Sequence, residues 1–100
     1  MKVEIKEFND KVAVSLAGEM DTAAAMEMEE NLKSLCDTKG KEIVFDCTDL
    51  EYIASSGLRI LLSILKSAKA NGGNVVLQHV NEDIKDVFQL TGFINIFTIE

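Results

Sequence analysis

One continuous stretch, residues 46–70, constrains the fold of this chain more than any other. It reads DCTDLEYIASSGLRILLSILKSAKA and runs from an expected strand end, through a serine-rich turn, into a strongly apolar helix. Ser55, Ser56 and Gly57 stand at the turn, before a stripe formed by Leu58, Leu61, Leu62 and Leu65. A serine here can cap the helix by accepting hydrogen bonds from free backbone N–H groups. Because the positive end of the helix dipole lies at the same place, the turn also favours a phosphate.

A strand–helix–strand unit surrounds this turn. Residues 42–47 contain the apolar run IVF, which is typical of a strand covered on both faces. The helix is predicted over 56–70, where Asn71-Gly72-Gly73 supplies a stop signal, and 75–77 form the next buried strand. This order requires a parallel strand pair joined by a right-handed crossover.

The residues before this unit predict an antiparallel hairpin. Residues 3–8 alternate apolar with charged side chains, and the alternation resumes over 12–16, after the turn signal at 9–10. The pattern predicts that one face of the hairpin packs on the core. Gly18 is expected to end the second strand.

A first helix is expected from residue 22 to about residue 36, with Asp21 or Thr22 as its N-cap. Its inner stripe is expected to consist of Ala24, Met28, Leu32 and Leu35. Met26 and Met28 are expected to fill the core, and Gly40 to mark the exit from the helix.

A third helix and a last strand complete the pattern. Asn81 is the expected cap of the helix, Gly92 ends it, and the last strand is predicted over 94–99. The inner face of this helix is expected to carry Ile84, Val87 and Phe88. The elements together predict an α/β fold: a single domain over residues 1–100, with a mixed β-sheet, an N-terminal antiparallel hairpin and helices packed against the sheet.

Composition limits the classes of partner. With 47% hydrophobic and 27% charged residues, the chain can fill a core and is not disordered by composition. The net charge of −7 argues against nucleic acid or an anionic membrane as partner, so a basic protein surface is expected. The start MKVEIKEF lacks an apolar signal core and no run approaches membrane-spanning length, which predicts a cytoplasmic protein. Cys36 and Cys47 are then small hydrophobic residues in a reducing compartment.

Catalysis and metal binding have weaker support. The turn at Ser55 resembles the last part of a nucleophile elbow but lacks its first glycine, and His79 is the only candidate base. Asp46, Asp49 and Glu51 are close in sequence, but their spacing fits no calcium loop, and a solvated acidic loop is the stronger interpretation. A phosphoaspartate receiver domain would need further acidic residues after its first strand, where this chain has a hairpin turn. A hydrolase using Ser55 and His79 stays an outside alternative.

Three segments carry a resemblance to a known family. They are LAGEMDTA (16–23), IVFDCTDLEYIASSGLRILL (43–62) and LTGFINIFTI (90–99). In order and content they resemble the STAS domains of the small bacterial anti-sigma factor antagonists, and the match runs from about residue 3 to residue 99. Many members have a further helix after the last strand, whereas this chain stops at Glu100, so the resemblance leaves one sheet or helix surface uncovered.

The resemblance implies a site. The family's phosphate acceptor is the first serine of its Ser-Ser-Gly or Ser-Ala-Gly turn, which is Ser55 here. Asp21 matches the family's acidic residue before the first helix, which lies beside the acceptor and meets the partner kinase. The other expected partner-binding residues are Glu19, Thr22, Ser56, Gly57 and Arg59. Sporulation-type members usually have Asp before the acceptor, where this chain has Ala54.

The function that the resemblance implies is a protein–protein switch without catalytic activity. The unphosphorylated chain would bind an anti-sigma factor serine kinase and release a sigma factor, and phosphorylation of Ser55 would dissociate the complex. A serine phosphatase would then reset it. ATP and magnesium belong to the partner in this scheme, so no bound cofactor is expected, and the chain is expected to be a monomer or weak dimer. The alternative is a STAS interaction module of a transporter-associated or stress-sensing complex, without serine phosphorylation.

Overall fold

The computed structural model describes residues 2–32 and 41–100 of the chain. Its elements are β1 (Lys2–Glu7), β2 (Lys11–Met20), α1 (Thr22–Leu32), β3 (Glu42–Ile53), α2 (Ser55–Ala70), β4 (Asn74–Gln78), α3 (Glu82–Thr91) and β5 (Thr98–Ile99), with a short 3₁₀ turn at Phe93–Asn95. The expectations for Leu35, Cys36 and Gly40, and for the side chain of Leu32, lie outside what the structure describes.

The five strands form one mixed sheet in the order β1-β2-β3-β4-β5. β1 pairs with β2 antiparallel, with Val3 opposite Leu16 and Ile5 opposite Val14, so the predicted hairpin is confirmed. The other neighbours pair in parallel, including β3 with β4 on either side of α2. The predicted α/β fold class is therefore confirmed.

Two strands are longer than their sequence signals predict. β2 continues through Gly18, which adopts φ 97° at a register shift, and ends at Met20. β3 was expected to end at residue 47 but continues to Ile53, because β2 still pairs with it there: Met20 lies opposite Ile53. β4 reaches only as far as the level of Asp46 in β3. The ends of β2 and β3 therefore extend beyond the rest of the sheet.

One face of the sheet carries the core. Val12 and Val14 of β2 and Phe45 of β3 point to this face and are fully buried. They belong to the same cluster as Met28 of α1 and Phe88 of α3, and residues of α2 join it as well. The described helices therefore cover the same face of the sheet.

No described helix covers the opposite face of the sheet. Side chains alternate along a strand, so Ser15 and Val44 point away from the helices; Ser15 is exposed and Val44 half-buried. The expectation that residues 42–47 are covered on both faces is wrong, because no described helix packs on this side. The apolar run IVF is compatible with this arrangement because only its first and third members enter the core.

The caps predicted for α1 and α3, and the predicted end of α3, are confirmed. The Asp21 carboxylate accepts a hydrogen bond from the Ala24 N–H at 2.9 Å, which makes Asp21 the cap of α1. Asn81 caps α3 in the same way, accepting from Ile84 N–H at 2.9 Å, and Gly92 ends it with φ 78°. The 3₁₀ turn occupies the first residues of the predicted last strand, so β5 is shorter than expected.

The inner face of α1 differs from the predicted stripe. Ala25 and Met28 are completely buried, whereas Ala24 is only half-buried. Met26 is 59% exposed, so the expectation that it fills the core is wrong. Its position lies about 100° from Ala25 around the helix, which turns it towards water.

Candidate functional site

The site lies where β2 and β3 end side by side. One residue separates each strand from the helix that follows: Asp21 between β2 and α1, and Ala54 between β3 and α2. The Ala54 N–H donates to the Met20 carbonyl at 2.8 Å, which ties the start of α2 to the end of β2. The two helices therefore begin next to each other, at the carboxyl ends of two inner strands of the sheet.

A hydroxyl pair joins the first turns of the two helices. Thr22 Oγ1 lies 2.8 Å from Ser56 Oγ, and either hydroxyl can donate. Ser56 is half-buried, whereas Ser55 is exposed, and in the described part of the chain its hydroxyl has no hydrogen-bond partner. Of the two serines in the turn, Ser55 is thus the more accessible.

The start of α2 has no side-chain cap. Ala54 occupies the N-cap position with φ −79° and ψ 162°, and its methyl group can accept no hydrogen bond. Neither serine replaces it, because Ser55 already lies in the helix and Ser56 pairs with Thr22. The expectation that a serine caps this helix is therefore wrong. The first-turn N–H groups, which in any α-helix lack intrahelical acceptors, are available to a ligand of negative charge.

Gly57 lets the first turn of α2 pack closely on the strand ends. It is buried, and a Cβ atom at this position would lie 3.0 Å from Ile53 Cγ1 and 3.0 Å from Met20 Sδ. The side chains of the strand ends thus fill the space that a larger residue would need. Among the predicted partner-binding residues, Gly57 sits beneath the surface and sets the position of its two neighbouring serines.

Charged residues of both signs lie on the elements that meet at Ser55. Glu19, Asp21 and Glu51 are exposed near the ends of β2 and β3, and Arg59 is exposed one helical turn after Ser55. None of these four forms an ion pair with another described residue. These groups are therefore solvated, and a partner can bring its own charges to them.

Asp46 lies in the first half of β3, and its carboxylate accepts hydrogen bonds from a nearby residue. Its Oδ1 accepts hydrogen bonds from the Thr48 hydroxyl and from the Thr48 N–H, the latter at 3.1 Å. The Thr48 hydroxyl in particular holds the pKa of Asp46 below its ordinary value, against a smaller opposing effect of burial. Within residues 2–32 and 41–100, no group of three His, Cys, Asp or Glu side chains is placed to hold a metal ion.

The groups needed for nucleophilic catalysis are not brought together. His79 is exposed beyond the end of β4 and adopts φ 59°, and no hydrogen bond joins it to Ser55. The Cys47 thiol is buried, and desolvation, helped by the nearby Asp46 charge, raises its pKa to about 12. That thiol stays protonated at neutral pH, which suits a core residue and not a nucleophile.

Several exposed residues on the elements that form the site were missed by the sequence reasoning. Tyr52 is 52% exposed opposite Glu19 on the strand extension, and Met26 is exposed on α1, one turn after Thr22. Lys66 and Lys69 are exposed on α2. The helical spacing of these lysines from Ser55 was visible in the sequence, whereas Tyr52 could be placed only once β3 was known to continue past residue 47.

The helices of the described residues, 2–32 and 41–100, are too short or too polar to span a bilayer. This finding is consistent with the absence of a membrane-spanning run in the sequence.

Comparison with known proteins gives a consistent result. The family model of the STAS domain matches residues 2–100. The anti-sigma-B factor antagonist of Bacillus subtilis is 28% identical over 99 residues, covering 99% of this chain and 90% of that protein. A Bordetella bronchiseptica protein, BtrV, provisionally named an anti-sigma factor antagonist, is 29% identical over 99 residues, covering 99% of this chain and 85% of its own.

Solved structures share the fold. The Bacillus anti-sigma factor antagonist SpoIIAA in its unphosphorylated form superposes with a TM-score of 0.86 at 19% identity, covering 99% of this chain and 88% of that one. The phosphorylated form of SpoIIAA gives a TM-score of 0.78 at 19% identity, covering 99% of this chain and 91% of that one.

Proposed function

This chain belongs to the STAS domain family, and on that premise we propose that it is an anti-sigma factor antagonist whose partner binding is switched by phosphorylation of Ser55. The single observation that carries the proposal is the contrast between the two serines: Ser55 is exposed and unengaged at an uncapped helix start, while Ser56 is held by Thr22. Relatives named as anti-sigma factor antagonists over nearly the whole chain support it.

Phosphorylation is compatible with the fold. A phosphate adds about −1.5 to −2 charges at neutral pH. On Ser55 these charges would meet the free N–H groups and the positive dipole end of α2, which stabilise anions. Ala54 leaves this position without a competing carboxylate. In SpoIIAA, phosphorylated and unphosphorylated forms have both been solved, and this chain superposes on each.

The proposed cycle assigns all bond making to the partners. An anti-sigma factor serine kinase binds the unphosphorylated chain, which frees its sigma factor. The kinase then transfers the γ-phosphoryl group of ATP to Ser55 Oγ, releasing ADP, and the serine proton goes to a base of the kinase. A serine phosphatase later hydrolyses the phosphoserine with water and releases inorganic phosphate. The chain itself supplies the acceptor and the docking surface, acts in the bacterial cytoplasm and needs no cofactor.

A pull-down followed by a kinase reaction tests this function. Wild-type protein and the Ser55→Ala variant serve as baits in a cytoplasmic extract of the source bacterium, and the recovered kinase is purified and mixed with each bait and Mg-ATP. We expect both baits to bind it and ATP to release only the wild type. Recovery of transporter or stress-complex subunits, with no kinase, would instead favour an interaction module without serine phosphorylation.

Asp21→Asn is expected to keep the fold but weaken kinase binding. Asn caps a helix about as well as Asp, so the hydrogen bond to the Ala24 N–H and the free energy of unfolding should be retained. The lost charge removes an attraction to a basic partner surface. The measurements are the kinase Kd and the melting temperature. Asp21→Ala is the control: it loses both cap and charge, and should also cost about 0.5–2 kcal/mol of stability. An unchanged Kd for Asp21→Asn would reduce Asp21 to a structural cap.

Ala54→Asp is expected to stabilise the unphosphorylated protein by about 0.5–2 kcal/mol, because it supplies the missing cap of α2. The same change should reduce any stabilisation that phosphorylation brings, since the carboxylate and the phosphate compete for the same N–H groups and repel each other. Thermal unfolding of both variants, with and without phosphate, measures the two effects. Ala54→Asn, an uncharged cap, separates competition from repulsion. No change in stability with either substitution would show that the first turn already has its hydrogen bonds satisfied.

A further inference from the structure

One side of α2 carries a line of cations that starts at the acceptor. At 3.6 residues per turn, Ser55, Arg59, Lys66 and Lys69 fall within about 80° of arc, and they span about 21 Å of helix. All four side chains are exposed. The half-buried Leu62 lies within the same arc. We call Arg59, Leu62, Lys66 and Lys69 the α2 stripe.

The stripe is an exception in an acidic molecule. The chain has a net charge of −7, yet α2 contains three cations and no acidic residue, and none of the cations forms an ion pair with a described residue. The neighbouring α1 has the opposite character, with Glu27, Glu29 and Glu30 and no basic residue in its described span. A partner that lies along α2 therefore meets three cations and no acidic side chain of that helix.

Helix stability explains only part of the stripe. Lys69 lies in the last turn, where the helix dipole favours a cation. Arg59 is the fifth residue of α2, near the end where the dipole disfavours a cation. It is exposed and forms no ion pair with a described residue, so no ion pair in that part of the fold accounts for its charge. Its charge is therefore available to a molecule outside the chain.

We propose that the α2 stripe docks an acidic segment of the same kinase that is switched at Ser55, an inference that rests on the function proposed above. Carboxylates of this segment pair with Arg59, Lys66 and Lys69, and an apolar side chain contacts Leu62. The kinase then presents two kinds of surface: basic groups opposite Glu19 and Asp21, and acidic groups along α2. This alternation fixes its orientation, because a kinase turned around would place like charges together.

The stripe also gives phosphorylation a second way to weaken binding. Arg59 lies four residues after Ser55, on the same side of the helix, and is within reach of a phosphate there. Phosphate–guanidinium hydrogen bonds are charge-assisted and stronger than neutral ones. The phosphate therefore takes Arg59 away from the partner's carboxylates and repels them at the same place. A partner that was purely basic would instead be attracted by the new charge.

A pair of charge reversals tests the docking surface. Lys66→Glu reverses a charge in the stripe, about 16 Å along the helix from Ser55. Lys6→Glu makes the same change in net charge on the exposed, helix-free face of the sheet. Binding of the purified kinase is measured by calorimetry at two salt concentrations, and the phosphorylation rate at saturating kinase is measured beside it. We expect Lys66→Glu to weaken binding about 5- to 10-fold, most at low salt, and Lys6→Glu less than about twofold.

The outcomes distinguish a failure of the docking site from a failure of the proposed function. Equal effects of Lys66→Glu and Lys6→Glu would reduce the stripe to a contribution to net charge, and no effect or tighter binding by Lys66→Glu would overturn the docking site. The phosphorylation rate at saturation should not change with Lys6→Glu, because Lys6 lies on the helix-free face of the sheet, away from the acceptor and from the stripe. If wild-type protein neither binds the kinase nor is phosphorylated by it, the proposed function itself fails and the docking site fails with it.

Discussion

Phosphorylation of Ser55 is expected to lower the affinity for the partner kinase about a hundredfold without refolding the protein. The new charges face the acidic groups that the proposed partner places along α2, and like charges placed together at an interface cost several kcal/mol. The phosphate also adds bulk where a small hydroxyl had stood. Inside the chain it meets the uncapped start of α2, so the fold tolerates it.

Three variants resolve this effect. Ser55→Ala should bind the kinase constitutively, since it cannot accept a phosphate. Ser55→Asp should bind about tenfold more weakly than wild type, because it carries one charge and less bulk than a phosphate. Ser56→Ala should still be phosphorylated and released. Calorimetry gives each Kd, and circular dichroism gives the fold. Tight binding by Ser55→Asp, or a rearranged α2 in a crystal structure of the phosphorylated protein, would contradict an electrostatic and steric switch.

Gly73→Ala should have the largest effect on stability. A Cβ atom at Gly73 would lie 2.2 Å from the Lys41 carbonyl oxygen and 3.4 Å from that of Ala68. Both neighbours are backbone atoms that cannot move without displacing their elements. The Gly73 N–H also donates to the Ala68 carbonyl at 2.8 Å, which holds the far end of α2 to the start of β4. We expect a loss of about 1–3 kcal/mol, measured as a shift in the denaturant midpoint.

Gly92→Ala is the matched control for this steric effect. Gly92 has φ 78°, but a Cβ atom there would meet nothing within 4 Å, so the change costs only backbone strain, about 1 kcal/mol. The smaller loss at Gly92 would separate close packing from conformational preference. An equal or smaller loss at Gly73 would mean that β3 and α2 can move apart. Such movement would remove the reason to regard α2 as a rigidly placed carrier of Ser55.

Local signals predicted much of the fold because the residues that cause them are adjacent in sequence. α2 was expected over 56–70 and spans Ser55–Ala70, since its leucine stripe and its Asn-Gly-Gly stop are contained within it. Asn81 and Gly92 mark the ends of α3 for the same reason. The hairpin follows from alternation and a turn signal, both of short range.

The missed features depend on contacts between distant residues. β3 continues beyond residue 47 because β2 pairs with it as far as Ile53, and no periodicity in either strand predicts that register. The hydrogen bond between Thr22 and Ser56 spans 34 positions, and it decides which serine is free. Capping by a serine was the reasonable prediction because the sequence does not show that α2 already includes Ser55. The helix-free face of the sheet was missed because an apolar run has the same sequence pattern whether one face or both faces of its strand are covered.

The site was predictable only with the family resemblance. Composition and spacing predicted a helix start able to carry phosphate, and the resemblance selected Ser55 and Asp21 from the nearby polar residues. The structure adds the contrast between an exposed Ser55 and an engaged Ser56, and the missing cap at Ala54. The central claim of the account is that a kinase phosphorylates the Ser55 hydroxyl.

Mapping the phosphate after reaction with the recovered kinase tests most directly whether Ser55 is the acceptor. Wild-type protein, Ser55→Ala and Ser56→Ala are each incubated with the kinase and Mg-ATP, and intact mass is followed by fragmentation of the peptide that contains the turn. We predict one phosphate on Ser55 in wild type and in Ser56→Ala, and none in Ser55→Ala. A phosphate on Ser56, or none on wild-type protein that binds the kinase, would contradict the account.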